Sequence, residues 1–114
     1  MKINESNVTI MVKDMDKAVN FYLNIGLTLK NRWENNYAQL KTTDIIVGLH
    51  PTDKDIPNNS KVSIGFMIDH IGDAKVLLDL HGIAFTYEEG KSGKYVHFHD
   101  PDGTTLYFSQ PSWR

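Results

Sequence analysis

Residues 8–27 read VTIMVKDMDKAVNFYLNIGL, and the periodicity changes within them. From Val8 to Val12, β-branched and apolar residues form a short run whose side chains alternate in an extended chain. Val8, Ile10 and Val12 share one face, and Asn7, Thr9 and Met11 share the other. After Asp14 the apolar residues Met15, Ala18, Val19, Tyr22 and Ile25 recur at helical spacing, and Gly26 stops the run. Asp14 and Asp16 suit the cap and first turn of that helix. A strand therefore feeds a helix whose apolar stripe can meet the face bearing Val8, Ile10 and Val12.

Three strand-like runs follow, LTLKNRW, NYAQLK and DIIVGLH, separated by the turn-forming ENN and TTD. The order is β-α-β-β-β. The stretch PTDKDIPNNS, residues 51–60, has two prolines, two asparagines and no apolar period, so it reads as a linker. Beyond it the order begins again: VSIGFMID, a helix over IGDAKVLLDLHG, then IAFTYEE, KYVHFHD and TTLYFSQ. The helix-glycine-apolar junctions NIGLTL and LHGIAF agree at an offset of about 56 residues, as an internal duplication requires. The expected class is α+β, built from two βαβββ modules: module one 1–50, linker 51–60, module two 61–110 and a tail 111–114, together one domain over 1–114.

The chain has 114 residues, 40% of them hydrophobic, with 14 acids, 12 bases and no cysteine. Its length suits one ordinary domain. A net charge of -2 lacks the basic excess that a nucleic-acid binder needs for counterion release. Without cysteine there is no disulfide, thiolate nucleophile or Cys-ligated metal. No run approaches the ~18 apolar residues of a membrane span, and no leader-like start is present. The expectation is a cytoplasmic protein with no nucleic-acid and no membrane partner.

YVHFHDPDG, residues 95–103, places two histidines before an acidic turn. Asp100, Pro101 and Gly103 occupy the first, second and fourth positions of a type I β-turn. In the preceding strand Tyr95, His97 and His99 share a face; in the returning one Tyr107 and Ser109 alternate with Leu106 and Phe108. Leu106 and Phe108 suit the helix side. Aromatics mixed with histidine on the other side suit a pocket wall better than a solvated surface, where Lys and Glu usually dominate. Two His at i and i+2 can also chelate a metal, but that needs further ligands, and the nearby acids belong to the turn. The Gly-Lys-Ser of residues 90–92 lacks the spacing of a phosphate loop and reads as a solvated hairpin.

Taken together, VKDMDKAVNFY, IGL and DPDG, in order over residues 7–110, resemble the vicinal oxygen chelate superfamily. That superfamily includes glyoxalase I, extradiol dioxygenases, fosfomycin-resistance proteins and bleomycin-resistance proteins. The resemblance implies sheets curled into a cup with helices outside and ligands on the concave face. Metal-dependent members take ligands from the first and last strands of each module, and those places fall here on Asn7, Gly48, Ser63 and Tyr107. None is a good transition-metal ligand beside imidazole and carboxylate, so the metal set is degenerate and no cofactor is expected. His50, two residues after Gly48 on the same face, is the nearby His that could substitute.

The resemblance thus implies a metal-free member of the drug-sequestering, bleomycin-resistance kind. Such members bind a ligand in clefts between two chains, which implies a homodimer and leaves a one-chain site incomplete. The expected ligand is a small aromatic or amphipathic molecule. Its contacts would come from Tyr95, His97, Tyr107, Trp33, Tyr37, His50, Met11 and Met67. Packing competes as the role of Trp33 and Tyr37, whose strand face cannot be fixed through WENNY, and core filling competes for the two methionines. Trp113 reads as an interface or packing residue. The alternative is a metal-dependent lyase, isomerase or dioxygenase with a shifted set such as Glu5, His50 and His97.

Overall fold

A computed structural model describes residues 1–56 and 62–112; the expectations for residues 57–60 of the linker and for Trp113 lie outside them. The chain divides into two compact units, Met1–Ile56 and Pro57–Arg114. Each is an α+β unit of βαβββ order with one four-stranded sheet, as a duplicated module requires.

The first unit contains β1 (Asn7–Val12), α1 (Met15–Asn24), β2 (Thr28–Trp33), β3 (Tyr37–Lys41) and β4 (Ile46–Pro51). Its sheet runs β1-β4-β3-β2, with β1 parallel to β4 and the other pairs antiparallel. The Asp14 carboxylate caps α1 by accepting from the Lys17 amide at 3.1 Å. At the other end Gly26 adopts φ +114°, which lets the Leu27 amide reach back to the Tyr22 carbonyl at 3.0 Å. Because Leu27 is used in the cap, β2 begins at Thr28. Met15, Ala18, Val19 and Tyr22 of α1 are buried, as are Val12, Leu40, Val47 and Leu49 of the sheet. Each large aliphatic buried in this way contributes about 1.5–3 kcal/mol before conformational entropy is counted.

The second unit repeats the plan with β5 (Ser63–Met67), α2 (Ile71–Leu80), β6 (Thr86–Gly90), β7 (Gly93–His99) and β8 (Thr105–Pro111), in the order β5-β8-β7-β6. Ile71, Ala74 and Leu78 of α2 are buried, as are Ile64, Val96, Phe98, Leu106 and Phe108 of the sheet. Phe98 and Phe108 stack at 5.3 Å. The N-cap differs from that of α1: His70 makes no side-chain cap bond. Instead the Gln110 side chain, from β8, accepts from the Ile71 amide at 2.8 Å. Residues 83–85, read from sequence as the start of β6, lie outside the strand because the Ile83 amide bonds the Leu78 carbonyl in the helix C-cap.

The turn at 100–103 forms as its residues dictate. Gly103 donates to the Asp100 carbonyl at 3.0 Å, and the Asp100 carboxylate accepts from the amides of Asp102 and Thr104 at 2.9 and 2.8 Å. Gly90 and Gly93 pair across the β6–β7 hairpin. β4 and β8 end at Pro51 and Pro111, one residue into the stretches read as linker and tail. Among the described residues no helix is long and apolar enough to cross a membrane.

Candidate functional site

Each sheet buries one face under its helix and leaves the other open. In the first unit the register sets Asn7 opposite Ile46, Thr9 opposite Gly48 and Met11 opposite His50, while Gln39 lies opposite Gly48 and Trp33 opposite Tyr37. These side chains share the open face. Trp33 and Tyr37, whose face the sequence left open, stack there at 5.7 Å with 25° between their planes. The Tyr37 hydroxyl occupies the space a Cβ on Gly48 would need, and Thr9 Oγ1 stands 3.0 Å from that point. Asn7 Nδ2 donates to Thr9 Oγ1 at 3.2 Å and to the Tyr37 hydroxyl at 3.4 Å.

In the second unit the open face carries Ser63, Gly65 and Met67 from β5, Tyr95 and His97 from β7, and Tyr107 and Ser109 from β8. Gly65 pairs with Tyr107, and His97 pairs with Tyr107 on its other side. The Tyr107 ring lies over Gly65. His97, Tyr95 and Tyr107 form a triangle of rings, His97 6.2 Å from Tyr95 and 5.8 Å from Tyr107, with the two tyrosines 6.4 Å apart by ring centroids. The Tyr95 hydroxyl donates to Ser92 Oγ at 2.9 Å, which fixes that ring's tilt toward the hairpin. His99 is exposed near the turn.

Met11 and Met67 occupy equivalent positions and are 47% and 46% exposed, so core filling is not their role. His50 is exposed, with Nδ1 3.0 Å from the Pro51 carbonyl. The two modules use one device in opposite senses. In the first, a glycine on the last strand receives a tyrosine from β3; in the second, a glycine on the first strand receives a tyrosine from β8. Gly65 and Gln39 belong to these faces although their sequence context was read only as strand. A lone glycine inside VSIGFMI was the available signal, because glycine within a strand marks a close approach.

The four positions implied for metal ligands do not suit a metal. Gly48 offers no side-chain ligand atom and its space is filled, Asn7 could offer only a neutral amide oxygen, a weak ligand beside imidazole and carboxylate, and Ser63 and Tyr107 supply only hydroxyls. Among the described residues no group of three or more His, Cys, Asp or Glu side chains could hold a metal ion. Nor do Glu5 and His50 of the shifted set converge. His50 pairs with Met11 near one end of β1, and Glu5 precedes its other end, Asn7, roughly 13 Å away at ~3.3 Å per residue. Glu5 is engaged instead with Lys30 Nζ at 3.1 Å. A cleft of about 520 Å³ adjoins the Asn7 end of the first open face, lined by Glu5, Ser6, Lys30, Lys41, Thr42 and Ile46 among others.

Residues 6–108 match the family described as the Glyoxalase/Bleomycin resistance protein/Dioxygenase superfamily. The chain belongs to it. Among solved structures of this superfamily's fold, a glyoxalase family protein from Bacillus anthracis is similar at 16% identity and TM-score 0.81, with 98% of each chain covered. The fosfomycin resistance protein FosX from Listeria monocytogenes is similar at 16% identity and TM-score 0.80, with 96% of this chain and 93% of that one covered. A bleomycin-binding protein complexed with bleomycin is similar at 19% identity and TM-score 0.76, with 96% and 100% covered. At such identities the likeness is one of fold. No curated protein matches the chain.

Proposed function

We propose that this superfamily member is a metal-independent binding protein. It takes a small aromatic or amphipathic molecule against the open, aromatic sheet faces and sequesters it without transforming it. The observation that carries this reading is the filling of family ligand positions by tyrosine: Tyr37 over Gly48, and Tyr107 itself over Gly65. Rigid aromatic rings supply contact area at small entropic cost, and the exposed Met11 and Met67 supply an adaptable apolar surface. Trp33, Tyr37, His50 and Met11 form the wall in module one; Tyr95, His97, Tyr107 and Met67 form it in module two. The similar protein complexed with bleomycin gives the same direction. The working form is a cytoplasmic homodimer of one-domain chains, without a cofactor and without nucleic-acid or membrane partners.

Elemental analysis of purified protein, followed by thermal-shift measurements with aromatic compounds and with divalent metals, tests this reading. The expected result is substoichiometric metal, no metal effect on Tm, and stabilisation by aromatic ligands through mass action. A stoichiometric transition metal whose stabilising effect disappears in His50→Ala with His97→Ala would replace this reading with the shifted-ligand enzyme.

A further inference from the structure

The polar end of the first open face is built for one kind of ligand atom. Asn7 Nδ2 uses its two hydrogens on Thr9 Oγ1 and on the Tyr37 hydroxyl. A hydroxyl that accepts a hydrogen bond still has its own hydrogen to give. No hydrogen bond among the described residues uses the hydrogen of either hydroxyl. Both oxygens crowd the space over Gly48, the Tyr37 hydroxyl overlapping a notional Cβ there and Thr9 Oγ1 standing 3.0 Å from it. Two hydroxyls with hydrogens to give therefore stand over Gly48, beside the stacked pair of Trp33 and Tyr37.

We propose that Tyr37 and Thr9, oriented by Asn7 over Gly48, form a neutral donor pair that receives the carbonyl oxygen of a flat ligand lying on the open sheet face beside the edge of Trp33. The inference rests on the aromatic-binding reading above and adds the ligand's chemical class, an aryl ketone or comparable conjugated carbonyl. A pair of hydroxyls can hold such an oxygen by hydrogen bonds without Lewis-acid activation. No cation is part of the trio, so a neutral acceptor is the natural match, and side-chain substitution at Gly48 would displace the donor itself.

Two isosteric probes separate the polar anchor from stacking: 2-acetylnaphthalene, which has the carbonyl, and 2-isopropenylnaphthalene, which has a methylene in its place. Equilibrium titration of the intact protein is expected to give binding of the ketone about 5–10-fold tighter than the alkene, the range of one net hydrogen bond. Tyr37→Phe should cost the ketone more affinity than the alkene and reduce that preference to less than about twofold, with far-UV circular dichroism showing that the variant is folded; Thr9→Val should reduce it in part. Should Tyr37→Phe fail to fold, the wild-type ratio and Thr9→Val decide. Equal binding of the two probes by the wild type, or an equal loss for both in Tyr37→Phe, overturns the donor pair and leaves aromatic binding intact. Failure of both probes to bind overturns the donor pair and the aromatic-binding reading together.

Discussion

Tyr107 lies across Gly65, its register partner on the parallel neighbour strand, with Cε2 2.5 Å from where a Cβ on Gly65 would stand. The ring and the missing side chain are complementary. Gly65→Ala should therefore lift the Tyr107 ring and disturb the adjacent His97, destabilising the protein by about 1–3 kcal/mol as overpacking does. Gly48→Ala should cost less, because its nearest neighbour is the hydroxyl end of the flexible Tyr37 side chain. Urea denaturation gives the ranking. A Gly65→Ala variant as stable as the parent would mean the ring does not rest there.

The N-terminus of α2 is capped from a distance, by Gln110 of β8. Removing that acceptor in Gln110→Ala leaves the Ile71 amide without its partner and should lower stability by about 1 kcal/mol, the usual cost of losing a cap. Adding His70→Asp, which places a carboxylate at the N-cap, should restore most of the loss. The double variant's midpoint in urea, compared with each single one, reads the compensation.

Asp100 is 5% exposed, and its carboxylate accepts from two turn amides. Asp100→Ala should cost about 2 kcal/mol, as expected when buried donors lose their acceptor, and should raise amide hydrogen exchange at Asp102 and Thr104. Asp100→Asn, which keeps one carbonyl acceptor, should lie between parent and Ala. Exchange rates unchanged in the Ala variant would show that the turn is held by its backbone alone.

These elements divide according to how local their causes are. The strand-to-helix switch at Asp14, the stop at Gly26 and the DPDG turn each follow from a few neighbouring residues, and all were legible in the sequence. So was the shared face of Tyr95, His97 and Tyr107. The cap from Gln110 to Ile71 was not, because it joins residues 39 apart in sequence. The stacking of Trp33 on Tyr37 also had to come from the structure, since Glu34, at φ +51°, reverses the chain in a way that alternation does not specify. The tyrosine-over-glycine contacts depend on cross-strand register, which periodicity leaves open.

Trp33 is 51% exposed while stacked on Tyr37, so the ring surface outside the stack is free to border a ligand on the open sheet face. Trp33→Ala should weaken binding of naphthyl probes by about 10-fold or more, in keeping with aromatic anchors in binding sites, and should change stability little. Tryptophan fluorescence of the parent should respond to the probe in the same concentration range. An unchanged affinity in Trp33→Ala would move the ligand to the second unit, over Tyr95, His97 and Tyr107.

Metal independence is the most direct test of the whole. The dissociation constant of 2-acetylnaphthalene is to be measured on protein dialysed against EDTA, then again after Mn²⁺ or Zn²⁺ is restored. Asn7, Gly48, Ser63 and Tyr107 are poor ligands, so the expected result is tight binding in EDTA with the same constant after metal is added. Binding that appears only when metal is returned would contradict it.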